Sequence, residues 1–236
     1  MYDYELNSTV FNTLPMPKDI GEFYKQAREY KESILKYQCV IKEIKAKLEI
    51  LNDEMSLHSD RNPIKMIKTR VKDPLSTIEK LRRRNWPVSV ESMEKNLNDV
   101  AGVRIICSFI DDIYDLAEMM RSQDDVTVLE IKDYIKNPKP NGYRSYHMIV
   151  EVPIYFSCHK ECVRAELQIR TIAMDFWASL EHHLRYKKEI KNSEEIKEQL
   201  RECANIIANT DERMQNILYQ ITEQDKEEVV EEGARD

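Results

Sequence analysis

Residues Cys162 to Arg170 read CVRAELQIR. The alternation gathers Arg164, Glu166, Gln168 and Arg170 on one side of a strand and Val163, Ala165, Leu167 and Ile169 on the other. A second carboxylate, Asp99, opens another apolar run, NDVAGVRIICSF. Two acids on neighbouring strands, set among cations, suit metal-assisted transfer of a phosphate group. At about 4 Å and an effective dielectric near 20, two carboxylates repel by ~4 kcal/mol, a cost that a divalent cation removes. Mg²⁺ fits, since it takes one or two carboxylates and completes its shell with phosphates and water. One of the acids can also serve as general base toward a hydroxyl. The plainer alternative makes Asp99 a strand-end cap and pairs Glu166 across the strands with Arg104 or Arg170.

A basic block precedes both acids. From Arg61 to Arg84 there are nine Lys and Arg against Asp73 and Glu79, a local +7 in a chain whose net charge is −7. Arg70, Lys72, Ser76, Lys80 and Arg83 recur at spacings of two to four, so several can lie along one helical or helix-entry surface that grips a polyphosphate; a solvated helix face is the alternative. The four glycines, Gly21, Gly102, Gly142 and Gly233, are too scattered for a phosphate-cradling loop. Any phosphates must be held by side chains and metal. In PNGYRSYH, Tyr143 follows a turn and is placed to stack on a base, with Arg144 and His147 nearby; a turn Tyr that merely packs is the alternative. Cys158, His159 and Cys162 have metal-ligand spacing but lack a second pair, so zinc stands against a plain loop and strand start.

These groups need elements to position them. Strands are expected over Gly102–Phe109, Val126–Asp133, Tyr146–Val152 and Cys162–Arg170, with helices over Asp112–Ser122 and Thr171–Lys187. The last helix should bury Ile172, Phe176, Leu180 and Leu184, leaving Trp177, Asp175 and Glu181 toward a cleft; His182 and His183 read as interfacial. Phe23, Ala27, Tyr30, Ile34, Tyr37, Ile41, Ile44, Leu48, Leu51 and Met55 form a heptad seam. Ile196, Leu200, Cys203, Ile207, Thr210, Met214, Ile217 and Ile221 form another, after a capping box at Asn192 and Glu195. The two seams are expected to pair, within the chain or between chains.

The fold class is thus α/β (α+β): a mixed sheet of four to five strands flanked by helices, with long terminal helices. Its expected divisions are a 1–21 extension, a 22–190 domain, a 191–222 helix for packing or oligomerisation, and a disordered acidic tail at 223–236. The overall acidity argues against coating nucleic acid. An acidic, polar N-terminus, the lack of a long apolar run and an odd five cysteines point to a reduced, cytoplasmic location.

The strings RVKDPLSTIEKLRRR, NDVAGVRIICSF, KDYIKNPKPNGYRSYH and AELQIRTIAMDFWASLEH resemble, in order, the synthetase domain of the RelA/SpoT family, and most closely the stand-alone small alarmone synthetases. The resemblance spans about Asn62 to Lys187. It implies a nucleotidyltransferase-like fold that moves the β,γ-pyrophosphate of ATP to the 3′-hydroxyl of GDP or GTP, giving AMP and ppGpp or pppGpp. By matched position, Asp99 and Glu166 would bind Mg²⁺ and Glu166 would take the hydroxyl proton. Arg70 and Arg104 would sandwich adenine, and Lys72, Ser76, Lys80 and Arg83 would hold the ATP phosphates. Tyr143 would stack on guanine, with Lys132, Lys139, His147, Gln168 and Asp175 around the guanosine nucleotide; the family varies at Lys132 and Asp175.

None of the five histidines precedes an Asp, as the hydrolase motif of long relatives requires, so synthesis without alarmone hydrolysis is expected. The resemblance also implies a homotetramer. No membrane or DNA contact is expected, and RNA binding stays open. Two other classes compete: a nucleotide- or RNA-binding regulator with little catalysis, which would gain nothing from two carboxylates beside its cations, and a related transferase with a different acceptor, for which Tyr143 discriminates.

Overall fold

The computed structural model describes residues 19–58, 61–185 and 193–233. The elements are α1 (Ile20–His58), β1 (Ile64–Val71), α2 (Pro74–Arg83), α3 (Val90–Asn96), β2 (Ala101–Cys107), α4 (Ile110–Arg121), β3 (Thr127–Asp133), β4 (Tyr146–Tyr155), β5 (Lys160–Thr171), α5 (Ile172–Arg185) and α6 (Ser193–Gly233). The strands form one sheet in the order β1-β2-β5-β4-β3, antiparallel except for β2 beside β5. No helix among the described residues is long and apolar enough to cross a membrane.

One sheet face is apolar. Val103 and Ile105 of β2, Met148, Val150 and Val152 of β4, and Val163, Ala165, Leu167 and Ile169 of β5 are all buried there. This face needs a cover, and α1 supplies it by lying across β1, β2, β4 and β5. Its expected seam is real, with Tyr37, Ile41, Ile44, Leu48 and Leu51 buried. Its partner, however, is the sheet and not α6. Fully burying such a side chain contributes ~1.5–3 kcal/mol, and the sheet offers far more apolar area than another helix would. Phe23 lies outside the described side chains.

Helix α6 packs instead on α5 and α4. The stripe it buries holds Ala204, Asp211 and Gln215, which lies beside the expected seam, so Cys203, Thr210, Met214, Ile217 and Ile221 are exposed and Ile207 is half-buried. The same reversal occurs in α5. Ile172, Phe176, Leu180 and Leu184 face outward, about half exposed, whereas Met174 and Trp177 are buried and the Trp177 indole N–H donates to Leu200 O at 2.9 Å. Periodicity locates a stripe without saying whether the same chain covers it. The acidic segment from 223 to 233 continues α6 as helix; up to residue 232 it contains neither Pro nor Gly and is rich in Glu, a good helix former. Residues 1–18, 186–192, with Asn192 of the expected cap, and 234–236 lie outside the described residues.

The four expected strands occur with shifted ends, and β1 and α3 are additional. The basic block is therefore not one helical surface. Its first half is the edge strand β1 and only its second half is α2, started by Pro74 and by the Asp73 carboxylate accepting from Ser76 N at 2.9 Å. Asn85, in the left-handed region at φ 55°, ends this segment.

Candidate active site

The second sheet face carries the polar side chains, and its register aligns them in rows. Lys68, Arg104, Gln168, His147 and Lys132 stand side by side across β1, β2, β5, β4 and β3. The next row is Arg70, Gly102, Glu166, Ile149 and Glu130. The parallel pairing of β2 with β5 sets Gly102 opposite Glu166, which brings Asp99, three residues earlier, to the same end of the sheet. Three hydrogen bonds hold the Asp99 segment there. Lys72 N donates to Val100 O at 2.7 Å, and Arg164 Nη1 donates to Lys95 O at 3.1 Å and Asn98 Oδ1 at 3.0 Å.

Both acids are deprotonated for identifiable reasons. Burial alone would raise the Asp99 carboxyl, but Lys72 and Lys80, with Nζ atoms 2.8 and 2.7 Å from Oδ2, outweigh it and hold it below the usual range. Burial likewise opposes ionisation of Glu166. It is overcome by His147, 3.1 Å from Oε1, and Gln168 Nε2, which donates to Oε2 at 2.9 Å, while the charge of Asp99 pushes the other way. The acids therefore sense each other, as the shared-site reading requires. The cross-strand pairing does not occur: Glu166 is hydrogen-bonded to His147 and Gln168 and not to Arg104 or Arg170.

Asp99 Oδ1 is buried and has no hydrogen-bond partner. Such an atom costs about 1–3 kcal/mol unless something binds it. The donor set around it fits a divalent cation: one carboxylate oxygen without a partner and a second carboxylate nearby. Among the described residues no three His, Cys, Asp or Glu cluster as a metal cage, so phosphate and water would have to complete the shell, the habit of Mg²⁺. Cys158 and Cys162 are exposed thiols at a hairpin, and His159 stacks on Phe156.

Around the acids lie two unlike halves. On one side, Arg70 on β1 and Ser76 and Arg83 on α2 are exposed, and Lys72 and Lys80 reach Asp99. On the other, Arg170 is only 3% exposed and donates to Asp175 Oδ1 at 3.0 Å, Gln168 Oε1 at 3.0 Å, Tyr143 Oη at 2.6 Å and Ser145 Oγ at 3.3 Å. Asp175 also receives Lys68 and Arg104, each at 3.3 Å. It is thus occupied by three cations. Arg104 keeps a buried Nε with no partner. Lys132 pairs with Glu130 at 2.9 Å, and Lys139 lies over the rings of Tyr134 and Tyr143, 4.6 and 4.7 Å from their centroids.

Tyr143 owes its place to α6. Gly142 has φ +86°, and a Cβ there would come within 2.5 Å of Ala204 Cβ, so only glycine lets the loop settle on the helix. Arg144 then donates to Gly142 O and Ala204 O at 3.1 and 3.3 Å. Sequence reading omitted Lys68 and Arg170 from the site. Lys68 alternates with Arg70 and Lys72, a sign visible only once the segment is read as a strand. Arg170 already stood on the polar face of CVRAELQIR. His182 and His183 are exposed, and His183 Nδ1 bonds its own helix at Ser179 O.

A family model described as "Region found in RelA / SpoT proteins" matches residues 69–191. The GTP pyrophosphokinase YwaC of Bacillus subtilis (strain 168) is 41% identical over 193 residues, covering 82% of this chain and 92% of that protein. The crystal structure of small alarmone synthetase 2 from Bacillus subtilis superposes with a TM-score of 0.74 at 40% identity, over 81% of this chain and 99% of that one. That of small alarmone synthetase 1 from the same organism, bound to its product pppGpp, gives 0.75 at 35% identity, over 82% and 98%.

Proposed function

The chain belongs to the RelA/SpoT family, and on that footing we propose how its residues divide the work of a (p)ppGpp synthetase. The protein is a GTP pyrophosphokinase of stringent-response alarmone synthesis, transferring pyrophosphate from ATP to the 3′-hydroxyl of GDP or GTP. It uses nucleotide substrates and a divalent metal, which we take to be Mg²⁺. A cytoplasmic location, where both nucleotides are made, fits this chemistry.

In the reaction the ribose 3′-oxygen bonds to the β-phosphorus of ATP, the bond from that phosphorus to the α,β-bridging oxygen breaks, and AMP leaves. The proton of the 3′-hydroxyl goes to Glu166, which is ionised and fixed by His147 and Gln168. Asp99 and Glu166 are the metal ligands. A bound divalent cation would relieve their repulsion and offset charge on the transferred phosphates. Lys72 and Lys80, now on Asp99 Oδ2, together with Ser76 and Arg83, serve the triphosphate. Arg70 and Arg104 flank adenine. Such transfer depends on positioning and charge rather than covalent help from the protein.

On the acceptor side Tyr143 stacks on guanine. The group that yields to the base is Lys139, a flexible chain over that ring, since Arg170 is buried among four partners. Lys132 and Lys139 then face the acceptor phosphates, with His147, Gln168 and Asp175 forming the floor of that subsite. The exposed apolar rows of α5 and α6, Phe176 and Ile217 among them, support assembly into a homotetramer.

The observation that carries this reading is the orphaned Asp99 Oδ1 beside an ionised Glu166, inside a ring of cations. Incubating the protein with Mg²⁺, ATP labelled in its β-phosphate and either GDP or GTP should yield AMP and label in the guanosine product. Nucleotide binding without AMP would instead make the chain a regulator, and label in another acceptor would change the substrate.

A further inference from the structure

We propose that His147 and Gln168, besides lining the acceptor subsite, are positioning residues for Glu166, and that the Tyr143 hydroxyl, acting through His147, fixes the direction of that carboxylate. This deepens the reading above and rests on Glu166 being the base.

The argument starts from Arg170, because a guanidinium can only donate. Its Nη2 gives a hydrogen bond to Tyr143 Oη at 2.6 Å and another to Gln168 Oε1 at 3.0 Å. Two arms follow. In the first, the phenol oxygen accepts from Arg170, and among the described residues His147 Nε2, 2.8 Å away, is the one acceptor beside it, so its own hydrogen points there. That leaves the ring proton of a neutral imidazole on Nδ1, which donates to Glu166 Oε1 at 3.1 Å. In the second, accepting from Arg170 settles which end of the Gln168 amide faces which way, so its Nε2 donates to Glu166 Oε2 at 2.9 Å. This assignment gives every contact in the fork one donor and one acceptor.

The surroundings hold the fork still. Arg170 is anchored by Asp175 and Ser145, and Ser145 Oγ in turn donates to Ile169 O at 3.2 Å. The Tyr134 ring meets His147 and Tyr143 edge-on, with centroids 5.2 and 6.0 Å apart. Both Glu166 oxygens thus carry one fixed donor each. Their remaining lone pairs keep one orientation without help from substrate, and Tyr143 ties recognition of the acceptor base to the set of the base that deprotonates it.

Five variants and one spectrum test this. Tyr143→Phe keeps the stacking ring, so KM for GDP should stay within about twofold while kcat falls about tenfold; His147→Ala should lose about 10- to 100-fold in kcat, the range found when an orienting partner is removed. His147→Asn, whose amide donates from near the Nδ1 position, should recover much of that loss, and adding Tyr143→Phe to it should cost nothing more. In ¹⁵N spectra of the wild-type protein, His147 should be the Nδ1–H tautomer; an Nε2–H tautomer would overturn the proposal whatever the variants do. A rise in KM for GDP with unchanged kcat in Tyr143→Phe and His147→Ala, while Glu166→Gln is inactive, would confine His147 to nucleotide binding and leave the base assignment standing. An active Glu166→Gln would remove the base assignment itself.

Discussion

The two halves of the site differ in how tightly their charges are held. On the side proposed for ATP, Arg70, Ser76 and Arg83 are exposed, and the two lysines on Asp99 are anchored by that one carboxylate. On the side proposed for the guanosine nucleotide, Arg170, Asp175 and His147 are all buried and tied to several partners each. The contrast teaches a division of physical labour. A triphosphate presents diffuse charge that long, mobile cations can follow, whereas removing a proton from one hydroxyl demands a carboxylate with a fixed direction. Losses in the first half should be small and nearly additive, and losses in the second large and coupled.

The largest expected effect is at the centre. Glu166→Gln should leave the fold intact yet lower kcat for AMP formation by about 10²–10⁴, and near-normal turnover would erase the contrast at once. Replacing Arg170 with Met strands Asp175 among fewer cations and frees both arms that reach Glu166. Breaking such a buried pair costs about 3–5 kcal/mol, visible as a lowered thermal midpoint together with lost activity. Next comes Tyr143→Ala, which should raise KM for GDP or GTP about tenfold, the worth of a stacked base, with much less change for ATP; equal effects on both nucleotides would discredit the stacking role. Arg83→Ala should raise KM for ATP only about fivefold, a single charge-assisted contact at a solvated position, and a collapse of kcat there would show the ATP side to be as rigid as the other.

Acid should expose the remaining difference. The folded-state pKa of Asp99 lies below its ordinary value, so its contribution to stability is present above the unfolded value near 4 and is lost as pH falls through the folded value. Asp99→Asn should therefore flatten part of the acid limb of a stability-against-pH curve, and an unchanged limb would mean that the Lys72 and Lys80 pairing contributes little.

Legibility in the sequence followed the same boundary. The polar face of β5, the two acids and Tyr143 were readable because strand alternation and a turn signal are local properties. The apolar seam of α1 was readable too, but its partner was not, since periodicity records a stripe and not what covers it. For that reason α5 and α6 turned the expected faces outward. The strand β1 escaped because an edge strand with Lys68 and Arg70 along it and Lys72 just beyond shows alternation of charge in place of the apolar pattern that normally announces one. Lys68 and the anchoring role of Arg170 went with it, since both depend on neighbours distant in sequence.

The lone parallel seam between β2 and β5 has a consequence for how such a chain can change over generations. Because successive residues point to opposite faces, one inserted residue between Asp99 and Gly102 would turn every downstream side chain of β2 over, sending Arg104 into the apolar layer and Val103 into the cleft. Substitutions there can be tried one at a time, but a change in length cannot. Tolerance for insertions belongs instead to the exposed hairpin at 157–159, where an extra residue disturbs no row.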